Sequence, residues 1–123
     1  VALVKYYPGY DPIMLKNIID LGYKAIIFEG TGLGHIGENM YPIVKMANEK
    51  SIFMGMTSQC IDGRVRMTVY ESGRDLLDLG IIPLENMIPE IALVKAMWAT
   101  GNTENRKEIK EIMLNRIASE FSI

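Results

Sequence analysis

The chain's single histidine, His35, sits in the glycine-rich run Gly30-Thr31-Gly32-Leu33-Gly34-His35-Ile36-Gly37. Glycines this close together let backbone N–H groups approach an anion, and an imidazole among them has the chemistry for hydrogen bonding or acid–base work. The run is neither the dinucleotide fingerprint GxGxxG nor a phosphate loop with its lysine. A tight turn needing positive φ explains the glycines at least as well, and in that reading the histidine has no catalytic task. A second group, Thr57-Ser58-Gln59-Cys60, sets hydroxyls, an amide and a thiol side by side, donors and acceptors suited to a small polar ligand. No histidine is near Ser58 or Cys60 in sequence to activate a nucleophile, and a small residue packed under a loop is the ordinary place for Cys60. Arg64, Arg66 and Arg74, with Tyr70 among them, have the charge to hold carboxylates. Arg and Tyr on a polar stretch are also what protein interfaces use, and that reading stands first.

The elements that must position these groups follow from punctuation and periodicity. Residues 1–7, VALVKYY, are an apolar, β-forming run stopped by Pro8-Gly9, which predicts a first strand. Asp11 and Pro12 suit the cap and first turn of a helix carrying Met14, Leu15, Ile18, Ile19 and Leu21 up to Gly22. Residues 24–29, KAIIFE, form a continuous apolar run, as expected of a strand covered on both faces. A helix over 38–49 and a strand over 52–56 come next, with Thr57 to Cys60 at that strand's end. Residues 61–68 read as a polar loop or short arm. A short helix over 71–79 ends at Gly80, and Ile81-Ile82 forms a strand that Pro83 closes. The helix opening at Pro89 is apolar nearly all round, with Ile91, Ala92, Leu93, Val94, Ala96, Met97, Trp98 and Ala99 interrupted by Lys95. Such a helix is expected to be buried, its Met97 and Trp98 in the core. A last helix over 103–121 carries Ile109, Ile112, Met113, Ile117 and Phe121 on one stripe.

The β-α-β-α-β alternation predicts an α/β domain, a three-layer αβα Rossmann-like arrangement around a parallel sheet of about four strands. Ligands of such sheets bind beyond the carboxyl ends of the strands, which singles out residues 7–10, 29–37, 57–66 and 83–87. With 123 residues, 49% hydrophobic and 23% charged, one domain is expected. A net charge of −2 with scattered Lys and Arg excludes this segment as a nucleic-acid surface. One cysteine allows neither an internal disulfide nor a cysteine metal cluster, which fits a reducing, cytoplasmic setting, and no apolar run approaches the ~20 residues of a membrane span. The start at Val1, directly on an apolar run, leads us to expect that a segment precedes it. By these residues alone the chain is a binding or interface domain with polar loops at one edge and no complete catalytic set.

Several short motifs carry a resemblance. KYYPG at 5–9, FEGTGLGH at 28–35, MTSQC at 56–60, GRV at 63–65, VYESGR at 69–74, GIIP at 80–83, NMIPEIALVKAMW at 86–98 and the closing NRIASE together resemble, in order and spacing, the C-terminal domain of the L-asparaginase family. Within it they are most similar to the D subunits of archaeal glutamyl-tRNA(Gln) amidotransferases. The resemblance implies that the amide-cleaving set, a nucleophilic threonine and a second Thr-Asp-Lys group, belongs to an N-terminal domain, so this chain holds no catalytic residue and no metal site. It implies that ammonia released from glutamine or asparagine is used by the amidotransferase's E subunit, with ATP and Mg²⁺, to convert Glu-tRNA(Gln) to Gln-tRNA(Gln). No cofactor then belongs to this domain, and tRNA is met through the complex. It further implies an intimate homodimer in which Gly32, Gly34 and His35 face the neighbouring subunit's substrate, with Tyr70 a second candidate. Asparaginases have an asparagine where His35 stands. Thr57, Ser58, Gln59 and Cys60 fall on a segment that binds an allosteric ligand in some bacterial cytoplasmic asparaginases. Two other readings stand beside this one: the corresponding part of a stand-alone cytoplasmic asparaginase, and an independent ligand-binding or interaction domain.

Overall fold

The first helix begins as its sequence dictates. In the computed structural model, which describes residues 1–32, 34–59 and 71–115, Asp11 Oδ1 accepts the Ile13 N–H at 3.0 Å and Pro12 takes the first helical position. Proline's missing N–H loses nothing there. Helix α1 (Pro12–Asp20) ends at Gly22, whose φ of +86° reverses the chain without a Cβ clash. The strands are β1 (Ala2–Lys5), β2 (Ala25–Gly30), β3 (Phe53–Ser58) and β4 (Ile81–Pro83). They pair in parallel in the order β1-β2-β3-β4, with Val4 opposite Phe28, Phe28 opposite Met56 and Met54 opposite Ile81.

Alternation along the strands divides the core into two. Ile26, Phe28, Met54 and Met56 point to one face and pack with Leu15, Ile19, Met40, Val44 and Leu76. These come from α1, from a 3-10 turn (Glu38–Met40) leading into α2 (Tyr41–Glu49), and from α3 (Glu71–Asp78). Ala25, Ile27 and Phe53 point to the other face, against α4 (Pro89–Asn102) and α5 (Arg106–Leu114). Each crossover steps in the same direction along the sheet, so right-handed connections bring α1, α2 and α3 to one side. The second side is covered only after β4, when the chain returns through α4 and α5. The expected three-layer αβα domain with four parallel strands is therefore present, and among the described residues the strand order does not reverse, so they form no switch-point crevice.

Three expectations are corrected. β3 runs two residues further than its apolar run suggests, because Thr57 and Ser58 continue the ladder opposite Glu29 and Gly30. The last helix starts at Asn105, whose Oδ1 accepts from Lys107 and Glu108 N–H, and not at Thr103. Helix α4 is not buried all round: Ile91, Val94, Met97 and Trp98 are exposed, and Ala92, Ala96 and Ala99 face the core. The sheet can cover only one side of a helix, and here the alanines take that side. Lys95, which looked like an interruption, is buried, its ammonium donating to the Met113 and Asn115 carbonyls at 3.1 and 2.6 Å. Leu33, Cys60, Gly63, Arg64, Arg66 and Tyr70, the loop or arm at 61–68, and Ile117 and Phe121 of the last predicted stripe lie outside the described residues. Among the described residues no helix is long and apolar enough to cross a membrane.

Candidate functional site

Loop 30–37 leaves the carboxyl end of β2 through a residue that can only be glycine. A Cβ on Gly30 would lie 2.7 Å from Met56 Sδ and 2.8 and 2.9 Å from the His35 backbone N and O. Beyond it the chain folds back on itself. Thr31 and His35 form an antiparallel bridge, Thr31 N–H donating to His35 O and His35 N–H to Thr31 O, both at 2.9 Å. Gly34 N–H also donates to Thr31 O at 2.9 Å. Gly32 and Gly34 have φ of +52° and +104°, which side chains resist. The N–H groups of Thr31, Gly34 and His35 are thus engaged within the loop, where the positive-φ glycines shape a tight turn.

The polar end of β3, with Gln59 just beyond it, braces this turn. Thr57, fully buried, donates its hydroxyl to Phe28 O at 2.8 Å, and Ser58 Oγ donates to Gly32 O at 2.6 Å. Gln59 N–H donates to Gly30 O at 2.9 Å, while its side-chain amide donates to Tyr6 O and, at 3.1 Å, to Glu29 O. One glutamine thereby ties together the carboxyl ends of β1, β2 and β3. The sequence marked Gln59 as a ligand-binding group but carried no signal of this clamp, whose acceptors are main-chain carbonyls tens of residues away.

His35 itself is half-buried, and a cluster of tyrosines lies where residues 6–10 approach Gly37. Burial holds the His35 pKa below its ordinary 6.5, so the ring is neutral at neutral pH. Tyr10 packs edge-on against Tyr7 with ring centroids 5.3 Å apart and lies 6.3 Å from the Tyr6 ring. The Tyr6 hydroxyl sits against Gly37, beside the Asn39 side chain. Burial, with Tyr7 nearby, raises the Tyr10 pKa, so its hydroxyl stays protonated as a donor. Of the other predicted loops, 83–87 is filled by its own apolar side chains: Leu84 and Met87 are buried, and Leu84 lies over Gly55, where a Cβ would be 2.6 Å from its Cδ1. Arg74 is exposed on α3. The structure therefore brings residues 6–10, 30–32, 34–37 and 57–59 into one polar, aromatic ledge at the carboxyl edge of the sheet. Among the described residues no group of three or more His, Cys, Asp or Glu side chains converges to hold a metal ion.

The family profile of the Glutaminase/Asparaginase C-terminal domain matches residues 1–113. The chain belongs to this family. As a Glutaminase/Asparaginase C-terminal domain it is 49% identical over 122 residues to the D subunit of the Sulfolobus acidocaldarius glutamyl-tRNA(Gln) amidotransferase, covering 99% of this chain and 27% of the relative. It is 48% identical to the D subunit of the Pyrococcus abyssi enzyme, covering 99% of this chain and 28% of that protein. Among solved structures it is similar to the thermostable L-asparaginase of Thermococcus kodakarensis, with a TM-score of 0.88, 35% identity, and coverage of 98% of this chain and 37% of that one. It is also similar to L-asparaginase I of Vibrio cholerae, with a TM-score of 0.88, 27% identity, and coverage of 99% of this chain and 37% of that one. The chain thus spans little more than a quarter of the length of the curated relatives named here.

Proposed function

We propose that this chain is the C-terminal domain of an amide-hydrolysing, ammonia-releasing subunit of the archaeal amidotransferase type. In it the domain supports a homodimer and lends loop 30–37, with His35, as one wall of the neighbouring subunit's amide site. The observation that carries the reading is the similarity to D subunits, 49% and 48% identity across 99% of the chain, against 35% and 27% to the solved asparaginases. Glutamine or asparagine is then the amide donor, cleaved by groups on polypeptide outside this chain. The ammonia passes to the amidotransferase's E subunit, which uses ATP and Mg²⁺ on Glu-tRNA(Gln), all in the cytoplasm.

Within that reading the work of this domain is positioning. A neutral imidazole adds no charge where it meets a polar substrate, and a partly buried ring keeps His35 in that form. The Thr31–His35 bridge and the close approach at Gly30 hold its backbone, and Ser58 and Gln59 brace the turn from below. Fixing a contact group before substrate arrives lowers the ordering cost of binding.

The test uses the full-length protein, assayed for ammonia release from glutamine and from asparagine, alone and with the E subunit, ATP, Mg²⁺ and Glu-tRNA(Gln). Glutamine-dependent formation of Gln-tRNA(Gln) is expected, and the 123-residue chain by itself releases no ammonia. Asparagine hydrolysis with no amidated tRNA under any condition would transfer the chain to the stand-alone asparaginases. No amide hydrolysis at all would remove both.

A further inference from the structure

The outward side of α4 is apolar where a surface helix is ordinarily polar. Ile91, Val94 and Trp98 follow at i, i+3 and i+7, and Met97 flanks them, with exposures of 40, 65, 54 and 57%. That spacing makes one stripe along the helix. Its orientation is built in, because Ala92, Ala96 and Ala99 occupy the sheet-facing side with Ile27 and Phe53. The buried Lys95 ammonium is held by carbonyls at the end of α5. Rolling α4 to hide the stripe would pull that ammonium from its acceptors and turn the alanines to water. Scattered apolar residues on a surface are ordinary, but a contiguous stripe marks a contact surface.

What lies beside the stripe indicates the occupant. Val1 packs on the cluster beneath α4, and Leu3, 37% exposed, lies on the same face of the edge strand as its register partner Ile27. Polypeptide arriving at Val1 therefore arrives next to α4. In the curated relatives most of the length lies outside the matched region, and the family is by description a C-terminal domain, which gives a longer subunit of that kind a domain-sized portion ahead of it. Tethered at that point, such a portion has an effective local concentration on the order of millimolar, which outcompetes a free second copy at micromolar levels.

We propose that the stripe Ile91–Val94–Met97–Trp98 is the seat of the domain that precedes Val1 in the same polypeptide, which meets it with an apolar surface. The inference rests on the reading of this chain as the C-terminal part of a longer amide-hydrolysing subunit.

The test is hydroxyl-radical footprinting of the full-length protein, read by mass spectrometry at Met97 and Trp98, at concentrations where sedimentation shows oligomer and where it shows monomer. Both residues are expected to be oxidised roughly tenfold more slowly than in the same protein unfolded in urea, at every concentration, the monomer included. Oxidation close to the unfolded rate throughout would overturn the proposal. Protection lost on dilution to monomer would give the stripe to a second copy, and protection gained only on adding another purified protein would give it to a partner; either result also overturns it. Amide hydrolysis measured on the same sample keeps the two readings apart. An active protein with an unprotected stripe sinks the docking alone, and a protected stripe on a protein inactive toward glutamine and asparagine sinks the functional reading alone.

Discussion

At the scale of single residues, the ledge is held by contacts that leave little room for change. His35 is the only histidine, so its ring gives one titrating imidazole signal by NMR. Burial lowers its folded pKa, which predicts a midpoint below 6.5; a midpoint at or above that value would contradict the burial argument. The sign for stability follows by linkage. The unfolded chain binds the proton more readily, so this contribution is fully present above pH 6.5 and is lost as pH falls from 6.5 to the lowered folded value. Replacing His35 with Gln is expected to flatten that part of the pH–stability curve. Gly30→Ala tests the turn itself. Met56 has a flexible side chain to move, but the His35 backbone does not retreat, so the substitution is expected to cost about 1–3 kcal/mol in urea unfolding. A cost near zero would mean that the bridge yields.

At the scale of elements, what could be read from the sequence depended on how local the cause was. Asp11-Pro12 opens α1 where expected because cap and first turn are set within three residues. The apolar runs of β2 and β3 were legible because both faces of a central parallel strand are covered. The side of α4 that faces the core was not legible, since an all-round apolar helix shows no preferred face in its sequence. Packing against Ile27 and Phe53 and the reach of Lys95 to α5 decided it. Lys95→Met tests that anchor: two carbonyls at the end of α5 lose a charge-assisted donor and are only partly rehydrated. We expect a loss of about 1–2 kcal/mol in unfolding free energy, with faster hydrogen exchange across α5 than across α1. Equal exchange in the two helices would show that Lys95 does not hold α5.

At the scale of the whole molecule, the same helix sets the solution behaviour of the isolated chain. An uncovered stripe is expected to bind hydrophobic dyes and to promote concentration-dependent association. Val94→Gln combined with Trp98→Gln should reduce both, while changing stability by no more than about 0.5 kcal/mol per site, as exposed positions do. Unchanged dye binding in that variant would place the apolar surface elsewhere. The amino-acid sequence by itself determined the family, the alternation of strands and helices, the parallel sheet and the loops at its carboxyl edge, because each is written in local punctuation, periodicity or motif order. Only the tertiary structure decided that the N–H groups of Thr31, Gly34 and His35 are taken up within the glycine loop, that Thr57, Ser58 and Gln59 donate inward to the carbonyls of Phe28, Gly32, Tyr6 and Glu29, and that α4 turns Ile91, Val94, Met97 and Trp98 outward. Those outcomes depend on acceptors and neighbours distant in sequence, and a hydrogen bond to a main-chain carbonyl leaves no mark on the identity of the residue that accepts it.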